Sequence, residues 1–184
     1  MISFNGSSAR SSYALPVLKV QPSRSAFVTM CSEDLVIINT HWLGRRLWCA
    51  DEDCPGCEVS PLRSVVYFVA VADLPGGMKP YLVETTPNEI NRLSSLCQMS
   101  GHKLESGLVI ECRKKSKRSP MRFEPLDGGH PVPSEYKPVR RTLAAAAVLG
   151  GVPLPAAEAS LTDYLAKIKP AILHSLRKAI SEQR

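Results

Sequence analysis

Four residues with metal-binding side chains lie close together in the chain: His41, Cys49, Cys54 and Cys57. Their spacing is H-x7-C-x4-C-x2-C, and the last pair reads C-P-G-C. One imidazole and three thiolates suit Zn²⁺, and a C-x2-C turn is tight enough to place two sulfurs on one ion. The spacing predicts a tetrahedral zinc site. A redox-active C-x-x-C or unrelated buried thiols are the alternative, and His41 is the ligand that the pattern leaves most open.

Four protein ligands leave no coordination position for a substrate or a water molecule, so we expect a structural ion rather than a catalytic one. The acidic residues beside the cysteines fit a solvated loop. The sequence contains no P-loop, nucleophile elbow, HExxH motif or dinucleotide fingerprint. We therefore expect a protein that is not an enzyme. The remaining cysteines, Cys31, Cys97 and Cys112, lie in apolar strand or helix contexts and are expected in the core.

The second feature that could do chemistry is a basic segment, residues 113–122, which holds six basic residues and no acidic one. The net charge of the chain is +6, and the excess is local. Residues 1–112 carry 9 Lys and Arg against 11 Asp and Glu, whereas residues 113–184 carry 14 against 6. A basic hairpin turn can neutralise phosphates and release counterions, although a charge run is often only a solvated surface.

Aromatic residues lie on or beside the sheet that the sequence predicts. Basic grooves with aromatic platforms are typical of proteins that bind single-stranded nucleic acid on OB-folds. Alternation along a strand allows only one of Tyr67 and Phe68 to face a ligand, and we favour Tyr67. The candidate nucleic-acid-binding residues are Arg45, Arg46, Trp48, Tyr67, Tyr81, Arg113, Lys114, Lys115, Lys117, Arg118 and Arg122.

The elements that must position these residues are mainly strands. Phe27–Met30 and Leu35–Ile38 are predicted to form a hairpin around a polar turn. Ser64–Val71 is apolar on both faces and is predicted to be a central strand, with Tyr81–Thr85 returning beside it. Residues 107–113 and 121–125 are predicted to pair across the basic turn.

One helix is predicted between these strands. Thr86 is a good N-cap, Pro87 suits the first helical position, and Glu89 completes a capping box. The buried stripe includes Ile90, Leu93, Leu96 and Cys97, with Gly101 after the last turn. Five or so strands with one helix before the last hairpin predict a mainly β fold, an OB-like five-stranded barrel with a zinc-binding loop insertion and C-terminal helices.

The domain organisation follows from composition. Residues 1–25 are serine-rich and predicted to be a flexible arm, and residues 26–126 form the zinc-containing domain. Residues 127–137 are a Gly- and Pro-rich linker, and residues 138–184 are a helical extension with helices at 138–149 and 160–183, the second kinked or divided at Pro170. No apolar run is long enough for a membrane span and no export signal is evident, so we expect a cytoplasmic protein.

The order His41, Cys49, Cys54, Cys57 with its C-P-x-C pair resembles the zinc-containing OB-fold single-stranded DNA-binding proteins of phages and mobile elements, the T4-type helix-destabilising family. The specific match covers residues 41–57. The resemblance implies non-catalytic binding of single-stranded DNA in replication, recombination or repair, together with structural Zn²⁺. Two features differ from that family: the N-terminal arm has no concentrated basic module, and the C-terminus has no acidic tail.

A protein of another class fits the same residues. A zinc-stapled adaptor could dock on a replication or recombination protein through the amphipathic C-terminal helix, with Leu165, Ile168 and Leu176 on its apolar face. A metalloenzyme is a more distant alternative. The sequence leaves open DNA against RNA, self-association and cooperativity.

Overall fold

A computed structural model describes residues 16–31, 35–74, 77–105, 107–117, 119–126 and 161–183, with only the backbone described at 73, 74, 77 and 161–168. The expected flexible arm up to residue 15, the linker, the helix at 138–149 and the candidate Arg118 lie outside the described residues.

The described chain is mainly β, with seven strands in one antiparallel sheet and two α-helices. Two short 3-10 turns, Asp51–Asp53 and Pro55–Glu58, lie between the third and fourth strands. The strands are β1 (Ser25–Met30), β2 (Val36–Trp42), β3 (Arg46–Trp48), β4 (Arg63–Leu74), β5 (Gly77–Thr85), β6 (Val109–Lys114) and β7 (Met121–Leu126), and the helices are α1 (Pro87–Met99) and α2 (Leu161–Ser181).

Strand β4 is the centre of the sheet, as its apolar sequence predicts. Both of its faces are buried, with Val66 and Phe68 on one side and Val69 and Val71 on the other. Its backbone pairs with β5 along one edge and with β1 and β2 along the other. The returning strand and the β6–β7 hairpin are also confirmed.

The predicted hairpin between Phe27–Met30 and Leu35–Ile38 is wrong. β1 and β2 follow one another along the same edge of β4, where Met30 pairs with Ala70 and Val36 with Tyr67. The reason is the length of β4, because a twelve-residue strand offers enough backbone groups for two successive shorter strands. β1 and β2 therefore form one interrupted line rather than a reversal.

The sheet curls into a half-barrel. In the part of the chain that the structure describes, no backbone pairing joins β5 to β7. Residues 16–18 lie along the outer edge of β5, where the Leu18 N–H donates to the Leu82 carbonyl and the Leu82 N–H donates to the Pro16 carbonyl. Residues 16–18, from the segment predicted to be a flexible arm, thus meet the sheet through a single bridge at Val17.

Helix α1 covers the inner face of the half-barrel. The Thr86 hydroxyl accepts a hydrogen bond from the Glu89 N–H, which confirms the predicted cap. The side chains of Ile90, Leu93 and Cys97 are buried against the sheet. In the same core the rings of Phe68 and Phe123 meet edge to face, with centroids 5.8 Å apart.

Helix α2 is continuous through Pro170, so the predicted division there is wrong. Proline removes one backbone hydrogen bond, and the apolar packing of the following turns offsets that loss. Its residues Ile172, Leu176 and Ala179 are buried against the loop between β2 and β4. Among the described residues, no helix is long and apolar enough to cross a membrane.

Candidate metal centre and basic groove

The four predicted ligands come together. The metal-binding atoms of His41, Cys49, Cys54 and Cys57 all lie within 4.8 Å of one another. The Cys49 and Cys57 sulfurs are 3.7 Å apart, and His41 Nε2 is 3.4 Å from the Cys54 sulfur and 3.5 Å from the Cys57 sulfur. A tetrahedral Zn²⁺ with Zn–S bonds of about 2.3 Å requires ligand separations of about 3.5–3.8 Å. The donor set and its spacing therefore fit a zinc ion.

Each ligand is positioned by a different piece of backbone. His41 is near the end of β2, and Cys49 follows β3, which pairs with β2 through His41 and Leu47. Cys54 caps the start of the second 3-10 turn and Cys57 lies within that turn. The Cys57 N–H donates to the Cys54 carbonyl. The β2–β3 hairpin and the C-P-G-C turn thus approach the same point from two sides.

The His41 ring is oriented by its second nitrogen. Nδ1 lies 3.0 Å from the carbonyl oxygen of Ser60, so Nδ1 carries the proton and donates, and Nε2 remains for a metal. His41 is only 1% exposed, and the backbone of Gly56 lies against the ring. A Cβ at Gly56 would come within 2.7 Å of His41 Cδ2. The structure therefore supports His41 as the fourth ligand.

The sulfurs differ in their surroundings. Burial raises the pKa of the Cys49 thiol to about 12. Burial opposes ionisation of Cys54 too, but hydrogen bonds with the backbone of Ala50, Gly56 and Cys57 outweigh it and lower the pKa of that thiol. Cys57 is the exposed ligand. The other cysteines, Cys31, Cys97 and Cys112, are buried as predicted.

The C-terminal helix α2 covers the metal loop, which is the segment 43–62 between β2 and β4. Leu176 is fully buried in a cluster that includes Leu43 and two of the ligands, Cys49 and Cys54. The described part of the apolar stripe of α2 therefore packs on this loop instead of facing solvent.

A groove of about 470 Å³ lies at the opposite end of β4, beside the β6–β7 hairpin. Arg113 donates to Glu111 at 2.7 Å and lies 3.9 Å from Glu124, and its hydrogen bond lowers the pKa of the buried Glu111 carboxyl. The lining therefore has five basic side chains against two acidic ones. Its residues are Ser23, Arg24, Ser25, Glu111, Arg113, Lys114, Lys115, Arg122 and Glu124.

The structure brings together only part of the predicted nucleic-acid set. Arg113, Lys114, Lys115 and Arg122 line the groove, and Lys117 is exposed at the hairpin turn. The remaining described candidates lie elsewhere on the sheet and do not line the groove.

Arg45, Arg46 and Trp48 lie in the first part of the metal loop. Most of β4 separates them from the groove. Twelve residues of strand span up to about 40 Å. Arg45 is exposed, and Trp48 is half-buried against apolar side chains. Arg46 is engaged with Glu84 in an ion pair of 2.5 Å.

Tyr67 and Tyr81 are not stacking platforms in this structure, because they are only 5% and 7% exposed. The Tyr67 hydroxyl donates to Glu84 at 3.0 Å. Burial and the Glu84 carboxylate raise the pKa of Tyr67 to about 12. Tyr81 packs in the inner core. Apolar packing on both sides of β4 and its partner β5 buries these two rings. This corrects the expectation that they would face a ligand.

Two residues of the basic end were missed by the sequence reasoning. Arg24 lines the groove but was counted with the N-terminal arm. Phe27 is 55% exposed, although the apolar run around it suggested a buried strand. Its polar neighbour at i−2, Ser25, is exposed on the same face and was the signal in the sequence, whereas Thr29 at i+2 is buried.

Comparison with known proteins finds no matching family model, no similar curated protein and no similar solved structure.

Proposed function

We propose that this protein is a non-catalytic, zinc-stabilised OB-fold protein that binds single-stranded DNA, in replication, recombination or repair. The observation that carries the proposal is the basic groove beside the β6–β7 hairpin. Its five cationic side chains line one cavity, and the Arg113 guanidinium is held there by a hydrogen bond to Glu111. Such a cavity suits phosphate oxygens, which accept hydrogen bonds from several donors at once.

The connectivity supports the OB-fold part of the proposal. If β1 and β2 are counted as one bent first strand, β4, β5, β6 and β7 follow as the other four, with α1 between the third and the fourth. The metal loop then follows the first strand, and the basic turn joins the last two. OB-folds use loops at these two positions in the chain to bind oligonucleotides, and here the basic turn is the one beside the groove.

In this proposal Zn²⁺ has a structural role. His41, Cys49, Cys54 and Cys57 would hold it, and the ion would tie the β2–β3 hairpin to the C-P-G-C turn. Three thiolates and one Zn²⁺ carry a net charge of about −1. Residues 43–62 also hold two arginines against four carboxylates, so this part of the chain has no net positive charge and phosphate binding is left to the hairpin end.

The test is fluorescence anisotropy with labelled oligonucleotides over a salt series. We expect single strands to bind more tightly than duplex, with affinity falling steeply as salt rises. The double variant Lys114→Gln/Lys115→Gln should weaken binding and reduce the slope of log K against log salt by about 1.4, about 0.7 for each lost phosphate contact.

The matched control is Lys103→Gln/Lys178→Gln, which removes two exposed lysines away from the groove and should leave the slope less affected. Absence of binding at low salt, or equal affinity for duplex, would reject single-strand binding. Equal losses in both double variants would show that only the net charge matters.

The adaptor function gains no specific support from the described residues. Ile172 and Leu176, on the apolar stripe that would dock a partner, are buried against the metal loop. Single-strand binding is therefore the function that we propose.

A further inference from the structure

Phe27 is a large apolar side chain on an exposed sheet face. It lies within β1, which is paired on both edges, with β6 on one side and, from Val28 onward, β4 on the other. The Phe27 backbone is held by its pairing with Glu111 of β6, next to the point where the pairing with β4 begins, and the side chain is 55% exposed. An aromatic ring held on rigid backbone but open to solvent is pre-organised for contact with a flat ligand.

The strand register shows what surrounds this ring. Phe27 is directly opposite Glu111, and Ser25 is opposite Arg113. Across the next pair, Arg113 is opposite Arg122. Because side chains alternate along strands, these residues share the outer face of the sheet. Phe27 therefore lies on the same face as Arg113 and Arg122, two of the three arginines that line the groove.

The inner residues of the same strands confirm this assignment of faces. Val28, Ile110 and Phe123 are buried in the core beneath α1. The outer face of β1, β6 and β7 is thus distinct from the core. The outer face of β4, where Tyr67 and Val69 are buried, extends as far as the buried Thr29 of β1, so the open face begins at Phe27.

We propose that Phe27 is a base-stacking site and that the outer face of β1, β6 and β7 holds one segment of a single-stranded nucleic acid. A base lies on the Phe27 ring, and the adjoining phosphates lie in the groove of Arg24, Arg113 and Arg122. This inference rests on the proposed function and replaces Tyr67 and Tyr81 with a different aromatic platform.

The choice of ligand follows from the two chemistries that meet on this face. The groove is cationic, so its occupant carries negative charge. The Phe27 ring requires a flat apolar partner. That partner must lie within a few residues of the negative charge that occupies the groove. A single strand offers both, since each nucleotide has a phosphate and an unpaired base, whereas the bases of a duplex are stacked on one another and unavailable.

The experiment compares two ligands and three variants. The ligands are a thymidine oligonucleotide of about twelve residues, within the site size of one OB-fold, and an abasic oligonucleotide of the same length. Phe27→Leu removes the ring but keeps an apolar side chain, and Phe27→Tyr keeps the ring. Ile37→Ala alters another exposed apolar residue, on β2.

We expect Phe27→Leu to bind the thymidine oligonucleotide about five- to a hundredfold more weakly and the abasic one as the unaltered protein does. Phe27→Tyr should restore binding, and Ile37→Ala should not change it. The Phe27→Tyr result and thermal unfolding of each variant separate a binding effect from a folding defect.

Two outcomes would overturn the inference in distinguishable ways. If Phe27→Leu binds both oligonucleotides as the unaltered protein does, while Lys114→Gln/Lys115→Gln weakens both, phosphate binding stands and stacking on Phe27 is rejected. If the unaltered protein binds neither oligonucleotide at low salt, the proposed function itself fails.

Discussion

At the scale of single residues, the candidate metal centre depends on Gly56, a residue that contacts a ligand but is not a ligand itself. The backbone of Gly56 lies so close to the His41 ring that any side chain would collide with it. The opposite side of that ring is held by the Ser60 carbonyl. The imidazole is therefore confined between two backbone segments, which fixes the direction of Nε2.

We predict that Gly56→Ala weakens zinc binding. The added methyl carbon would lie 2.7 Å from His41 Cδ2, so the ring must rotate and Nε2 must leave the tetrahedral position. Outer-shell changes of this kind typically cost 10–100-fold in metal affinity, and we expect a loss in that range. Competition with a colorimetric zinc chelator measures it.

Gly101→Ala is the control for this prediction. Gly101 has a φ of +72° and open space around its Cα, so alanine there strains the backbone by about 1 kcal/mol without touching the site. It should lower the melting temperature and leave zinc affinity unchanged. Zinc affinity of Gly56→Ala equal to that of the unaltered protein would refute the role assigned to this glycine.

At the scale of elements, α2 and the metal loop depend on one another. The loop has two 3-10 turns and one short strand, so little regular hydrogen bonding holds it. Cys49 and Cys54 share an apolar cluster with Ile172 and Leu176. Zinc that orders the loop also builds the surface on which the helix docks, and by linkage the docked helix strengthens zinc binding.

We predict that Leu176→Ala lowers zinc affinity by at least about fivefold, although Leu176 is not a ligand. Truncating a fully buried leucine costs about 2–5 kcal/mol, which weakens docking of α2 and removes its support from the loop. The same zinc competition assay measures the loss.

Arg177→Ala changes the neighbouring exposed residue and should not alter zinc affinity. If Leu176→Ala binds zinc as tightly as the unaltered protein, helix docking and metal binding are independent.

At the scale of the whole molecule, the described apolar residues form separate clusters with different dependence on the ion. The inner core under α1 contains no ligand and no residue of α2. The metal-loop cluster contains both. The half-barrel therefore has its own source of stability, and a metal ion bound by His41 and the three cysteines would stabilise one end of it.

We predict that chelation separates these two parts. Hydrogen exchange followed by mass spectrometry should show lost protection in residues 43–62 and in α2, with protection retained in β1, β4, β5 and β6. Zinc added back should restore the protection. Exchange of the whole sheet on chelation would show instead that the ion is required for the barrel.

Charge is also distributed at this scale. The metal loop carries acidic residues at Asp51–Asp53 and Glu58, and the groove end is cationic. The two ends are separated by the length of β4. A polyanion is therefore attracted to the hairpin end, and the overall charge of +6 describes neither end.

Local chemistry determined much of this protein from the sequence alone. The cluster of His41, Cys49, Cys54 and Cys57, the capped helix α1 and the β6–β7 hairpin with its basic turn were all predictable, because spacing, capping and alternation act over a few residues. The long apolar run of β4 likewise predicted a central strand buried on both faces.

Only the tertiary structure decided which segments share a strand edge and which side chains remain exposed. β1 and β2 follow one another along β4 instead of pairing, and this depends on strand partners far away in the chain. The same packing buries Tyr67 and Tyr81 and leaves Phe27 open beside the basic groove. Burial is a property of the assembled layers, and the sequence of one strand does not state which neighbours will cover it.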